Sequence, residues 1–570
     1  MFIFSSLLFF LPIAYAVPVD PITGATSTNN ESDILPRVKI QNGTIIGQGL
    51  GAVEDFKGIP YAQAPVGPLR LRAPLPLNKG FGTMIAPLIP NSCPQFITSI
   101  DKSNLPNNVI QLLSNTPFVQ VATQQSEDCL NLNVQRPAGT TSKSNLPVVV
   151  YFFGGAFELG STQLYDGSSI ITKSMILDHP ILYVAVNYRV AGFGFLAGKE
   201  IMADGSSNLG LRDQRLALKW VQDNIAAFGG DPTKVTIWGE SAGAISAFDH
   251  TIINGGDNSY GQGSLFHGVI MNSGSIIPAV PVNHPKAQTV YDQVAAAAGC
   301  GWKADSLACL RKVPYQNFLN AQSSVPGFLG YRSVDLAYLP RPDPSDNFFP
   351  LSPEIPVSNG AFTKVPIIIG DQEDEGTIFS LFQKNITTTN ELVTYLTSFF
   401  PEADRSVLAG LVATYPNNPA AGSPFGTGLL YNIYPQYKRL AAILGDAVFT
   451  LTRRGYLSTV SSQVPSWSFL STYLSGTPVL GTFHASDVLE NFFDLPSIPA
   501  AVAVQNYYIS FINYGNPNSI TKANDVPWQR YDAANPVLLN VGALGVSTLQ
   551  DTFRKESGEY LVRVQHDLRI

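Results

Sequence analysis

The sequence predicts an α/β fold, a large and mostly parallel sheet with helices covering both faces. Three observations predict it. Short apolar runs, rich in β-branched and aromatic residues and bounded by turn formers, recur along the chain as buried strands do. Longer amphipathic stretches separate them, and strands alternating with helices pack as a parallel sheet covered on both sides. Apolar residues fill 45% of the 570 positions and charged residues 14%, with no long polar or Pro/Gly/Ser-rich linker. Length alone suggests about four domains, but this even composition predicts one large domain with insertions, residues 36–570.

The first sixteen residues form an apolar run ending in Ala14-Tyr-Ala16, the pattern of a secretory signal peptide cut after Ala16. The run holds no Lys or Arg, so its positive end is the terminal amine alone. Residues 17–35, with Pro18, Pro21, Gly24 and the polar stretch Ser27-Thr-Asn-Asn-Glu-Ser32, read as a flexible leader. Strands are expected at Val148–Phe153, Ile181–Val186, Val235–Trp238, Gly268–Met271 and Val365–Ile369. A helix is expected from Leu209 to Phe228, where Leu216, Trp220 and Phe228 recur at helical spacing. Beyond the first residues no segment reaches the ~18 unbroken apolar residues of a membrane span. The last residues, from Val564 to Ile570, lack the hydrophobic tail of a lipid-anchor signal. Export to the extracellular solution is the expectation.

The net charge of −7, with no basic run, argues against a nucleic-acid partner. Four cysteines, Cys93, Cys129, Cys300 and Cys309, suit two disulfides in an oxidising compartment. No CxxC pair occurs and the six histidines are scattered, so no metal and no cofactor are expected. Asn30, Asn42 and Asn385 each begin a sequon permissive for an N-glycan.

The strongest chemical signal is Gly239-Glu-Ser241-Ala-Gly243, preceded by the apolar run from Val235 to Trp238 and followed by helix formers. It fits the G-x-S-x-G nucleophile elbow of α/β-hydrolases, where a serine sits on a tight strand-to-helix turn. The glycines have a steric task, since side chains two positions from the serine would crowd that turn. The helix start also aims backbone N–H groups at a developing negative charge. A serine hydroxyl needs a base, and the order along this fold is serine, acid, histidine. The acids follow the strand at Val365–Ile369, in Gly370-Asp-Gln-Glu-Asp-Glu375-Gly376. Of the histidines beyond them, His566 lies close to the C-terminus, where chains fray, so His484 is preferred. Asp371, Glu373, Asp374 and Glu375 all stand at a strand's end, and spacing does not choose among them; most of this cluster is expected to be a solvated loop. Gly154 and Gly155, in Phe152-Phe-Gly-Gly-Ala-Phe157 after the strand at Val148, fit the position of oxyanion-binding backbone, with the N–H of Ala242 as the third donor.

Two long stretches then resemble a known family. Ser126-Glu-Asp-Cys129-Leu-Asn-Leu-Asn-Val134 and Phe228-Gly-Gly-Asp-Pro-Thr-Lys-Val-Thr-Ile-Trp-Gly-Glu-Ser241-Ala-Gly are similar to signatures of the type-B carboxylesterase/lipase family. Within it the chain most resembles fungal lipase/sterol esterases of the Candida rugosa type, through Lys57-Gly-Ile-Pro-Tyr-Ala62, Asn187-Tyr-Arg-Val190, Tyr338-Leu-Pro-Arg-Pro342, Ile369-Gly-Asp-Gln-Glu-Asp-Glu-Gly376 and Gly481-Thr-Phe-His484. The resemblance runs from about residue 38 to the C-terminus, and it implies the α/β-hydrolase fold. It implies Glu375 as the acid, through Asp374-Glu375-Gly376. It implies disulfides Cys93–Cys129 and Cys300–Cys309, and a lid within the loop 93–129. Leu105, Val109, Leu112 and Leu113 share one helical face there, able to meet a lipid–water interface. Ile378 and Phe379 are implied as walls of an acyl tunnel. Ala156 departs from the third glycine of many relatives.

The function implied is hydrolysis of long-chain acylglycerols and sterol esters through an acyl-enzyme, with lipid esters as partners. A carboxylesterase for short soluble esters is the alternative. A non-catalytic adhesion protein on the same scaffold is a weaker reading, because such relatives typically lose members of the triad.

Overall fold

A computed structural model describes residues 35–87, 89–97, 105–115, 122–493, 499–520 and 525–570. The expected signal peptide, nearly all of the leader and Asn30 lie outside them, as does the side chain of Leu113. Eleven strands among the described residues form one sheet. In chain order they are Gln48–Leu50 (β1), Val53–Pro60 (β2), Asn131–Pro137 (β3), Leu146–Phe152 (β4), Leu182–Val186 (β5) and Gly230–Glu240 (β6). Then come Gly268–Asn272 (β7), Ile367–Gln372 (β8), Ser466–Ser471 (β9), Val537–Gly542 (β10) and Gly545–Gln550 (β11).

They lie side by side as β1-β2-β3-β5-β4-β6-β7-β8-β9-β10-β11. From β5 through β4 and β6 to β10 every neighbouring pair is parallel. The pairs at both edges, and β3 with β5, are antiparallel. This is the α/β-hydrolase architecture. The parallel centre explains the uninterrupted apolar runs: strands covered on both faces have no solvent side to alternate toward. Every residue of β5 and β7 is buried. Trp238 of β6 anchors one layer, stacked on Phe492 at 5.3 Å between ring centroids and edge-on to Tyr151 at 5.1 Å.

The expected strands coincide with sheet strands, with one shift. The segment expected at Val365–Ile369 pairs instead over Ile367–Gln372. Pro366 has no N–H to give a ladder, so pairing begins after it and carries Asp371 into the sheet. The helix expected from Leu209 to Phe228 is α-helical over Leu209–Asn224 and tightens into a 3₁₀ turn over Ile225–Phe228.

Both disulfides form, Cys93–Cys129 and Cys300–Cys309. Arg70 seconds the first by gripping Glu127 with two hydrogen bonds of 2.6 and 2.7 Å. Inside that loop lies a helix, Asn107–Asn115, with Leu105 and Val109 buried and Asn107, Asn108 and Gln111 exposed. Among the described residues no helix is long and apolar enough to cross a membrane. Asn385 is exposed, and Asn42 is half-buried in a turn.

Candidate active site

The site is built on the C-terminal ends of neighbouring strands. β6 ends at Glu240, Ser241 takes a left-handed φ of 54° with ψ −124°, and the helix Ala242–Ile252 begins at once. A non-glycine residue with that backbone is strained, and its surroundings hold it. The Ser241 N–H donates to the Asn272 carbonyl of β7 at 2.8 Å. A Cβ on Gly243 would stand 1.9 Å from the Phe152 carbonyl oxygen, and one on Gly239 would stand 2.2 Å from the backbone of Gly243. Both glycines are therefore demanded by close backbone approach.

His484 and Glu375 meet this serine from distant parts of the chain. His484 Nε2 is 2.7 Å from Ser241 Oγ, and His484 Nδ1 is 2.5 Å from Glu375 Oε2. The other oxygen of Glu375 accepts the backbone N–H of Gln372 at 2.7 Å, which fixes the carboxylate plane. Ser241 is 9% exposed, His484 6% and Glu375 1%, so the relay is nearly dry. A second carboxyl stands beside it: Glu240 Oε1 lies 3.6 Å from His484 Nε2. Burial, together with the nearby charges of Asp487 and Glu375, holds Glu240 well above the usual carboxylate range.

The acidic cluster corrects one expectation. It is not a solvated loop, for Asp371, Asp374 and Glu375 are each about 1% exposed. Asp371 is captured by the buried Arg453 at 2.8 Å. Asp374 accepts from Ser423 Oγ (2.7 Å), Phe425 N (2.8 Å) and Thr482 N (3.0 Å), although burial still raises it to about 6. Glu373 is half-buried. Glu375 alone of the four reaches the imidazole. His566 is exposed, with Glu354 3.5 Å from its Nδ1.

Around Ser241 and His484 the pocket is lined by Gly155, Ala156, Glu240, Phe328, Ile378, Phe379 and Ala485. Gly154 is not in that lining. It packs against the nucleophile turn, where a Cβ would lie 2.5 Å from a Glu240 carboxyl oxygen and 3.0 Å from Ser241 Cβ. Ala156, with φ of 58°, occupies the position facing the pocket. Ala242 follows the serine as the first residue of its helix.

An apolar cavity continues from Ser241 between Phe157, Ile245, Leu336, Leu339, Val448 and Phe449. Phe379 stacks on Phe449 at 5.8 Å and tilts over the His484 ring at 5.0 Å. Phe379 thus walls both the imidazole and the cavity. No cluster among the described residues could hold a metal ion. The arrangement as a whole can activate a hydroxyl for attack on a carbonyl carbon beside a greasy slot.

Comparison with known proteins points the same way. The profile of the carboxylesterase family matches residues 35–558. Secreted lipase 1 of Botryotinia fuckeliana is 53% identical, over 97% of this chain and 97% of that protein. A secreted triacylglycerol lipase of Gibberella zeae is 48% identical, over 95% of this chain and 92% of its own length. Lipase 5 of Diutina rugosa is 43% identical, over 91% of this chain and 94% of its own.

Proposed function

Because the chain belongs to the carboxylesterase family and is a carboxylic ester hydrolase, we propose that it is a secreted lipase cleaving long-chain acylglycerols and sterol esters. The observation that carries this reading is the Ser241–His484–Glu375 chain opening onto an apolar cavity. Secretion is supported by the names of the relatives and by the apolar run ending at Ala16, read as a signal peptide, with 17–35 as leader and 36–570 as the catalytic domain.

In this proposal His484 Nε2 takes the Ser241 proton as Oγ attacks the ester carbonyl carbon. Glu375 keeps the Nδ1 proton in place and stabilises the imidazolium. The backbone N–H groups of Gly155, Ala156 and Ala242 receive the oxyanion, with Ala156 taking the part that sequence spacing gave to Gly154. Collapse breaks the ester C–O bond, and His484 hands its proton to the leaving alcohol. A water, deprotonated by the same imidazole, then attacks the acyl-Ser241 carbonyl; the acyl C–Oγ bond breaks, His484 returns the proton to Ser241 Oγ, and the fatty acid leaves. The loop 93–129, closed by its disulfide, is the lid; its apolar helix face swings toward a lipid surface.

The test is hydrolysis of matched butyrate and oleate esters, and of glyceryl and cholesteryl oleate. A lipase keeps its rate from butyrate to oleate, and its rate on oleate esters climbs once they exceed their solubility. A steep fall toward oleate would make it instead a carboxylesterase for short soluble esters.

A further inference from the structure

The cavity beside Ser241 carries one polar side chain that hydrolysis does not use. Ser241, Ile245 and Asp249 follow one another at four-residue steps along the helix Ala242–Ile252 and its cap, so they share one face, and all three line the cavity. The other lining side chains, Ile277, Val334, Leu336 and Ile570 among them, are apolar. Asp249 is 1% exposed, and neither of its carboxyl oxygens has a hydrogen-bond partner among the described residues. Among the described residues no charged group offsets its burial. Burial alone raises it well above the ordinary carboxylate range, which favours the protonated acid, able to donate one hydrogen bond and accept others.

A wall meant only for hydrocarbon gains nothing from such a group. An unpartnered buried carboxyl costs stability, and an apolar side chain of similar size would pack there without that cost. We infer that Asp249 is a specificity-determining residue that receives a hydroxyl, keto or epoxide oxygen carried near the middle of a fatty acyl chain. The inference deepens the lipase reading and rests on the cavity being its acyl site. Asp249 stands eight residue steps after Ser241, about 12 Å along the helix axis, which places the recognised oxygen well down the chain. An oxygen beside the ester carbonyl does not reach it. The substrate class is therefore esters of mid-chain oxygenated fatty acids, taken together with their plain analogues.

The test compares p-nitrophenyl stearate with two hydroxylated forms, one bearing its hydroxyl at mid-chain and one beside the carbonyl. The unmodified protein should favour the mid-chain form by about tenfold in kcat/KM, because a site built around a hydrogen bond discriminates against analogues that lack the partner. Asp249→Leu should abolish that preference, while Asp249→Asn should keep part of it. Binding of free stearic and mid-chain hydroxystearic acid to Ser241→Ala protein reads the same preference without turnover. It therefore separates failure of this inference from failure of the long-chain lipase reading. The inference is overturned if the ratio of mid-chain to plain ester is the same in the unmodified protein and in either folded variant, or if both acids bind Ser241→Ala protein equally.

Discussion

Asp374 and Thr482 exchange two hydrogen bonds. The Asp374 N–H donates to the Thr482 carbonyl at 2.9 Å, and the Thr482 N–H donates to Asp374 Oδ2 at 3.0 Å. One residue precedes Glu375 and the other stands two before His484, so this pair sews the acid-bearing loop to the histidine-bearing loop. Gly481 is required for it, since a Cβ there would meet Asp374 Oδ2 at 2.0 Å and its φ is 60°. Asp374→Ala removes the acceptor for three donors at once. The expected cost is about 2–4 kcal/mol in urea unfolding, with kcat reduced about tenfold or more as the imidazole loses its aim. A loss of stability with kcat intact would show that Asp374 holds the fold only.

Glu375→Gln preserves shape while removing the charge that stabilises an imidazolium. In serine proteases with a Ser-His-Asp triad, the equivalent change costs about ten-thousandfold in kcat. A fall of that order is expected here, with KM and melting temperature little changed. A variant that keeps a tenth of the activity would remove Glu375 from the relay.

Gly243→Ala tests the steric account of the elbow. Its new Cβ would stand 1.9 Å from the Phe152 carbonyl oxygen, a backbone atom that no side-chain rotation can clear. The expected loss exceeds about 3 kcal/mol, together with activity, read by thermal melting and ester turnover. Full stability and turnover in this variant would contradict the close approach.

Glu158 gives the pH dependence a sign. It follows the Gly155–Phe157 segment, is fully buried, accepts the Phe328 N–H at 3.1 Å and leaves its other oxygen without a hydrogen-bond partner among the described residues. Burial raises it from 4.5 to about 8. Over that interval the folded protein holds a proton that the unfolded chain has released, so stability falls as pH rises from about 4.5 toward 8. Glu158→Gln keeps an acceptor for Phe328 and does not titrate. Its melting temperature should fall less between pH 5 and pH 8 and lie several degrees above that of the unmodified protein at pH 8. Parallel melting profiles for the two proteins would contradict this.

What the sequence made legible is what local sterics dictate. The strands, the elbow and the order of serine, acid and histidine follow from patterns a few residues long. The acid was different, because four carboxylates share one strand end. Only long-range partners separate them: Arg453 takes Asp371, while Thr482 and Ser423 take Asp374. No periodicity encodes those meetings, and family resemblance was needed to name Glu375. Packing around the Gly154–Ala156 segment is likewise outside any local pattern: a Cβ on Gly154 would lie 2.5 Å from a Glu240 carboxyl oxygen, while Ala156 lines the pocket. Asp249 lay on a readable helical stripe, yet its lack of partners belongs to the tertiary structure.

Covalent labelling tests the central claim most directly. Treatment with a long-chain alkyl phosphonate ester, followed by peptide mass spectrometry, should find one adduct, on Ser241, formed in step with the loss of ester hydrolysis and absent from His484→Ala protein. Hydrolysis that survives full labelling of Ser241, or an inactivating adduct on another residue, would contradict it.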